Sequence, residues 1–168
     1  MVNSEDKSLL PAKELPKNQA DIESLILNRI GEYPGVEVGG ILMTNGVDVK
    51  ELHCFFGDEN TINQENIIYT LSLKEPEIKE ILGFLRNSLN LELTEEEMKK
   101  PEEVVLYKSL RYIDYHSHLD GDLYPSDGDI KSAREIDEPY LKAFHVIAGK
   151  GICEWYELGP LSDYANLY

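Results

Sequence analysis

The sequence predicts a single α+β domain, within the broad α/β class. The chain has 168 residues, about the length of one domain with a hydrophobic core of its own. Segments with helical periodicity alternate with short segments that are apolar or rich in β-branched residues. No internal repeat, low-complexity tract or linker divides the chain. These three observations favour one domain over two.

The first third of the chain predicts an arm, a helix and a hairpin. Residues 1–17 are polar and interrupted by proline, so we expect either a flexible arm or a strand added late to the sheet. Asn18 can cap a helix that Gly31 ends, with its apolar residues on one face. The stretch "VEVGGILM" (36–43) predicts a strand, and "TNG" predicts a turn into a second strand from Val47 to Phe56.

The middle of the chain predicts a loop, a strand and a long helix. "GDENTINQEN" (57–66) is polar and predicts a loop, and "IIYTLSL" (67–73) predicts a third strand. Pro76 is expected to begin a helix, because apolar residues follow it at helical spacing. These residues are Ile78, Ile81, Leu82, Leu85 and Leu89. "TEEEMKKPEE" (94–103) is expected to be a short capped turn or a charged loop.

The last third predicts a strand, a helix and a second hairpin. "SLRYIDYHSH" alternates well enough to be a strand, and "SDGDIKSAREI" predicts a helix with Ser126 as its cap. "AFHVIAG" and "ICEWYEL", joined by "KG", predict a hairpin. The elements therefore place the domain at residues 18–158, between the arm (1–17) and a tail (159–168).

Charge and composition limit the partners that we expect. The chain has 32 acidic and 16 basic residues, a net charge of −16, so we predict no nucleic-acid partner. The same charge keeps the protein in solution and would favour a basic partner. No stretch is apolar for the length of a membrane span and the N-terminus has no apolar signal segment, so we expect a cytoplasmic protein without a membrane partner. Cys54 and Cys153 form no C-x-x-C pair, which excludes a disulfide framework or zinc ribbon.

Two histidines and an aspartate form a candidate metal site. On a strand, His116 and His118 point the same way, because side chains repeat every two residues. Asp129 follows His118 by eleven residues, in the first turn of the next predicted helix, where its carboxylate can return to the same ion. Two imidazoles and one carboxylate leave the fourth tetrahedral position open, as in catalytic zinc sites. We therefore predict a metal site that activates water.

Four further residues complete the predicted site. Glu37 lies in an otherwise apolar strand, where a lone carboxylate is costly without a partner or a role, so it is the candidate base for the attacking water. Gly39 and Gly40 have no side chains that would block an approaching substrate backbone. Ser126 can direct its hydroxyl at a developing oxyanion.

Each feature of this site has a structural explanation when it is taken alone. Two histidines on a strand are more often surface or core residues, and Ser126 with Asp129 is a common helix-capping arrangement. Glu37 alone can be a salt-bridge partner. The full combination, H-x-H followed by seven residues and S-x-x-D, is rare by chance, so a metal centre is the better interpretation.

This motif resembles the signature of the JAMM (MPN+) metalloprotease family. The matching residues are H-S-H at 116–118 and S-D-G-D at 126–129. "EYPGVEVGGIL" (32–42) is similar to the family's upstream glutamate strand, and "IDYHSH" is similar to its aromatic lead-in to the histidines. The order of elements also agrees, and the likeness covers residues 18–158.

The resemblance implies a fold, a metal and an activity. The fold would be a cytidine-deaminase-like α/β/α domain, with a curved mixed sheet flanked by helices. By the motif match, His116, His118 and Asp129 would bind one Zn²⁺ per chain, Glu37 would be the general acid/base and Ser126 the oxyanion stabiliser. The activity would be hydrolysis of a peptide or isopeptide bond after the C-terminal glycine of a ubiquitin-like protein.

Two departures from the family pattern indicate which members of the family the chain resembles more. Leu119 stands where the family usually has proline, and the run from Ser132 to Ala148 is too short for the insertion with which eukaryotic deubiquitinating members grip the distal ubiquitin. The chain is therefore more similar to compact bacterial members, which act on ubiquitin-like or sulfur-carrier proteins, some within antiviral-defence operons. Two alternatives stay open, namely a peptidase that processes the C-terminus of a sulfur-carrier protein and a non-catalytic MPN scaffold.

Overall fold

A six-stranded mixed sheet is the centre of the fold in the computed structural model, which describes residues 7–74, 94, 96, 111–136 and 143–160. The elements follow in chain order: β1 (Lys7–Pro11), α1 (Gln19–Glu32), β2 (Glu37–Thr44), β3 (Val49–Gly57), α2 (Glu59–Lys74), β4 (Arg111–Ser117), α3 (Asp127–Ile136), β5 (Ala143–Gly149) and β6 (Ile152–Pro160). The strand order is β1-β6-β5-β4-β2-β3, with β4 and β5 parallel and the other neighbours antiparallel. The prediction of one mixed α/β domain is confirmed.

Helix α1 covers one face of the sheet. Its residues Ile22 and Ile26 lie one turn apart and are fully buried against the central strands. Asn18 precedes the helix as predicted, but its side chain does not cap it. Instead, the Asn18 Nδ2 group donates a hydrogen bond of 2.9 Å to Thr44 Oγ1, which ties the start of the helix to the end of β2.

Helices α2 and α3 contact each other and carry the candidate site with the strands beside them. A Cβ atom on Gly39 would lie 2.3 Å from the Ile62 side chain, so β2 approaches α2 closely at this position. Gly39 is also the register partner of His116 in β4. Glu37, Gly39 and His116 therefore share one face of the sheet, because side chains alternate along strands.

Residues 57–74 differ from the prediction, which was wrong in two places. The single helix α2 (Glu59–Lys74) takes in the expected loop (57–66) from Glu59 onward and the whole of the expected strand (67–73). Asp58 Oδ1 accepts the backbone N–H of Thr61 at 2.8 Å and so satisfies one of the free donors at the start of the helix. Burial of Ile62 against β2 anchors the first turns, and this tertiary contact outweighs the strand propensity of the residues that follow.

The first strand settles the two alternatives for the N-terminal arm. Lys7–Pro11 is a strand that pairs with β6, with Lys7 opposite Pro160. The folded unit therefore begins before residue 18, and β6 continues past residue 158. The predicted helix from Pro76 lies outside the described residues, as does the 94–103 segment apart from Thr94 and Glu96.

The predicted hairpin near the end of the chain is confirmed. Lys150 and Gly151 join β5 to β6 with φ angles of 52° and 80°, which is the two-residue turn whose twist suits antiparallel strands. Trp155 and Tyr156, both in β6, are buried. Within the described ranges, no helix has both the length and the apolar character needed to cross a membrane.

Candidate metal centre

Three donor side chains meet where β4 ends and α3 begins. His116 is the penultimate residue of β4, His118 follows just beyond the strand, and Asp129 lies in the first turn of α3. One ligand atom from each residue lies within 4.8 Å of the other two. In the described part of the chain, this is the one such group of three or more His, Cys, Asp or Glu side chains. The structure thus brings together the three predicted ligands.

The spacing of the donor atoms suits one small metal ion. His116 Nε2 lies 3.0 Å from His118 Nε2 and 3.1 Å from Asp129 Oδ2, and His118 Nε2 lies 3.2 Å from the same oxygen. Ligands at about 2.0–2.1 Å from a tetrahedral zinc ion would be about 3.3 Å apart. The observed separations are close to that value, and two imidazoles with a carboxylate are donors that zinc accepts.

Neighbouring groups orient two of the three ligands. His118 Nδ1 lies 2.5 Å from the carbonyl oxygen of Asp122, and since a carbonyl only accepts, Nδ1 must donate and Nε2 is left to face the other donors. Asp129 Oδ1 accepts a hydrogen bond of 3.1 Å from Asn63 Nδ2, while Oδ2 accepts the N–H of Ser126 at 3.0 Å. Such outer contacts fix ligand orientation before a metal binds.

The charge of Asp129 is balanced by that of His118. Burial opposes ionisation of Asp129, but hydrogen bonds with His116 and His118 outweigh it and hold the pKa of the carboxyl far below its usual value. The hydrogen bond with Asp129 raises the pKa of His118 to about 9, against the opposing effect of burial. Without a metal, the carboxylate is therefore ionised and pairs with a protonated imidazole at neutral pH. A cation bound at the same place would replace that proton.

Glu37 lies beside this group with one oxygen unsatisfied. It is the first residue of β2, and its Oε2 atom is buried with no hydrogen-bond partner among the described residues. Burial raises the pKa of Glu37, and the neighbouring imidazole of His116 partly opposes that rise. A half-buried carboxylate with a raised pKa and a free, buried oxygen is suited to take up a proton from a nearby water.

Ser126 caps α3, as predicted. Its Oγ atom accepts the N–H of Asp129 at 3.1 Å, and its own N–H donates to the Asp129 carboxylate. The Ser126 hydroxyl also forms a short hydrogen bond to Glu59 Oε1, at the first residue of α2. The capping role is thus observed, and the oxyanion role stays a prediction.

The two glycines of β2 have a packing role in the structure. A Cβ on Gly39 would meet the Ile62 side chain, and a Cβ on Gly40 would lie 2.6 Å from the carbonyl oxygen of His53 and 2.7 Å from Tyr115 Oη. Close contacts within the fold therefore account for both glycines. The predicted contact of Gly39 and Gly40 with substrate stays a prediction.

Helix α2 supplies two site residues that the sequence reasoning missed. Glu59 contacts Ser126 and Asn63 contacts Asp129, and both belong to the stretch that was expected to be a loop. Glu59, Asn63 and the buried Asn66 recur at helical spacing. This helical spacing of polar residues, which begins directly after the capping residue Asp58, is the sequence pattern that could have predicted the helix.

Comparison of the chain with protein-family models, with curated proteins and with solved structures gives no match. The fold and the site together define a mixed α/β protein with a buried His-His-Asp group that can bind a metal ion.

Proposed function

We propose that the protein is a zinc-dependent peptidase or isopeptidase of the JAMM (MPN+) type. It hydrolyses the bond after the C-terminal glycine of a ubiquitin-like protein. The observation that carries the proposal is the convergence of three donors at separations suited to one tetrahedral ion, with no fourth His, Cys, Asp or Glu side chain in the group among the described residues. A coordination position left for water is the property that separates catalytic from structural zinc sites.

His116, His118 and Asp129 would hold the zinc ion. When bound, zinc polarises a carbonyl group and makes water a better nucleophile near neutral pH. Glu37 accepts the proton of the attacking water and later delivers it to the leaving amine, which its raised pKa and free Oε2 favour. Ser126 lies beside Asp129, where its hydroxyl can donate to the oxyanion that develops on the substrate carbonyl.

The charge of the chain supports a basic substrate. Ubiquitin-type tails are basic, and the net charge of −16 would speed their encounter with this protein. We expect the cleavage rate at low substrate concentration to fall as ionic strength rises, because salt screens such long-range attraction. A cleavage rate that does not change with ionic strength would show that electrostatic attraction does not speed the encounter.

Metal analysis and cleavage assays with matched variants test the proposed function. Protein purified without chelator should contain about one zinc per chain. It should cleave C-terminally extended ubiquitin-like proteins from its own genome, and a chelator should stop the cleavage. The Glu37→Gln variant should retain zinc and lose at least about a hundredfold in kcat. Glu65→Gln, which changes an exposed glutamate of α2, is the control and should cleave normally.

Two results would contradict the enzyme. One is protein without stoichiometric zinc after growth with ample metal, and the other is undiminished cleavage by Glu37→Gln. Sulfur-carrier proteins with C-terminal extensions belong in the same substrate panel, because the sulfur-carrier alternative uses the same site and differs only in substrate. Binding of a ubiquitin-like protein without any cleavage would instead support the scaffold alternative.

A further inference from the structure

The Ser126 hydroxyl has one proton, and the structure uses it in a hydrogen bond to Glu59. Ser126 Oγ accepts the backbone N–H of Asp129, so that contact requires no proton from the serine. Glu59 Oε1 is the second partner of Oγ, and in that contact the Ser126 hydroxyl is the donor and Glu59 Oε1 the acceptor. The hydroxyl therefore donates to Glu59 Oε1.

The surroundings of Gly128 show how Glu59 reaches this point. A Cβ atom on Gly128 would lie 3.6 Å from Glu59 Oε1, 3.7 Å from Ser126 Oγ and 3.9 Å from Asn63 Nδ2. The three polar atoms therefore converge on the bare Cα of Gly128, at the first turn of α3. The N-terminal end of α2 holds Glu59 there, because Asp58 caps that helix and Ile62 packs into β2.

We propose that Glu59 is a positioning residue that competes with the substrate oxyanion for the Ser126 hydroxyl. This inference rests on the proposed function of the site. To stabilise the oxyanion, the Ser126 proton must rotate away from Glu59 and leave that carboxylate without its partner. Glu59 thereby restrains the resting enzyme, and a substrate that turns the hydroxyl toward itself releases the restraint.

Melting temperatures of the metal-free protein test the contact without any assay of activity. The set comprises wild type, Glu59→Ala, Ser126→Ala and the double variant, with Glu65→Ala as the control on an exposed face of α2. Ser126→Ala also removes the cap of α3, but it does so whether residue 59 is glutamate or alanine. The lost cap therefore cancels when the single and double variants are compared. We expect the sum of the Tm losses in the two single variants to exceed the Tm loss in the double variant by about 2–4 °C. Additive losses would overturn the contact.

Kinetics of the zinc-loaded proteins test the restraint. Glu59→Ala should raise kcat by about three- to tenfold with KM within about twofold of wild type, because only the transition state uses the freed hydroxyl. The kcat of Glu59→Gln should lie between those of wild type and Glu59→Ala, because an amide oxygen is a weaker acceptor than a carboxylate oxygen. The gain should vanish when Ser126 is alanine. A fall in kcat, or a gain that persists without Ser126, would overturn the restraint.

The two measurements separate failure of this inference from failure of the proposed function. An inactive wild type with non-additive melting shifts rejects the peptidase and the restraint, and retains Glu59 as the partner of Ser126. An active wild type that Glu59→Ala leaves unchanged rejects the restraint and retains the peptidase.

Discussion

The side-chain amide of Asn63 donates a hydrogen bond of 3.1 Å to Oδ1 of Asp129, joining α2 to the first turn of α3. Because Oδ1 is held in this way, Oδ2 is the oxygen that lies 3.1 Å and 3.2 Å from the two imidazole nitrogens. Helix α2 thus orients the one carboxylate of the candidate metal centre, although it contributes no ligand itself.

Removal of this amide should weaken metal binding. We expect Asn63→Ala to lower zinc affinity by about 10- to 100-fold, since loss of the partner lets the Asp129 carboxylate rotate. A competition titration with a chromophoric zinc chelator measures the change. Gln64→Ala, which removes an exposed amide from the next position of α2, is the control and should bind as wild type. Equal affinities for the two variants would show that Asn63 does not orient the ligand.

An added methyl group at Gly40 should destabilise the fold. The new Cβ would lie 2.6 Å from the backbone oxygen of His53, which cannot move without distorting the β2–β3 ladder. We expect Gly40→Ala to lower the free energy of unfolding by about 1–3 kcal/mol, as overpacking does in other cores. Gly31→Ala, in open space near the end of α1, should instead raise it by about 0.5 kcal/mol. Urea unfolding of both variants checks the opposite signs.

The thiol of Cys153 should resist alkylation in the folded protein. Burial, with the nearby negative charges of Glu23 and Glu154, raises the pKa of Cys153 to about 12. At pH 9 we therefore expect its reaction with iodoacetamide to be at least about a hundredfold slower in the folded than in the unfolded protein, because the thiolate is the reactive form. A Cys54→Ser background isolates this thiol. Comparable folded and unfolded rates would contradict the burial.

The raised pKa of Cys153 also makes the stability of the fold depend on pH. The folded state holds the Cys153 proton more tightly than the unfolded state, so the contribution is fully present below pH 9 and is lost as the pH rises toward 12. In Cys54→Ser protein, unfolding at pH 10 should therefore be easier than at pH 8. A Cys54→Ser/Cys153→Ser variant controls for every other group that titrates in this range, and it should lose less stability over the same interval.

A buried pair between β4 and β5 should be sensitive to loss of one partner. His145 Nδ1 lies 2.9 Å from Asp114 Oδ1, and both residues are only 6% exposed. We expect His145→Leu to lower the free energy of unfolding by about 1–3 kcal/mol, because the Asp114 carboxyl loses a hydrogen-bond partner inside the fold. The double variant Asp114→Leu/His145→Leu should recover much of that loss. A double variant less stable than His145→Leu would contradict this account.

Sequence patterns predicted the strands next to the site better than the helix behind it. The alternation in 111–117 and the turn residues at 150–151 describe local geometry, and the structure confirms both elements. Helix α2 was missed because its polar residues face α3 and its β-branched run imitates a strand. Contact of Ile62 with Gly39 decides the outcome, and that contact joins residues far apart in the chain.

The candidate site also contains residues that the sequence predicted and groups that it did not. The three ligands were predicted because imidazole and carboxylate groups at this spacing have a specific chemistry, and the structure brings them together. The groups that orient them were not predicted. Asp122 acts through a backbone carbonyl, which every residue possesses, and Asn63 acts from a helix that local patterns did not indicate.

The pairing of β1 with β6 allows the order of the elements along the chain to be changed. Lys7 lies directly opposite Pro160, so a linker of a few residues can connect these two strand ends without crossing the sheet. New chain ends can then be opened at Val47, which is 75% exposed in the turn between β2 and β3. The resulting circular permutant would retain every strand neighbour and all three metal ligands. It would also place its new termini at a turn where a reporter domain can be fused.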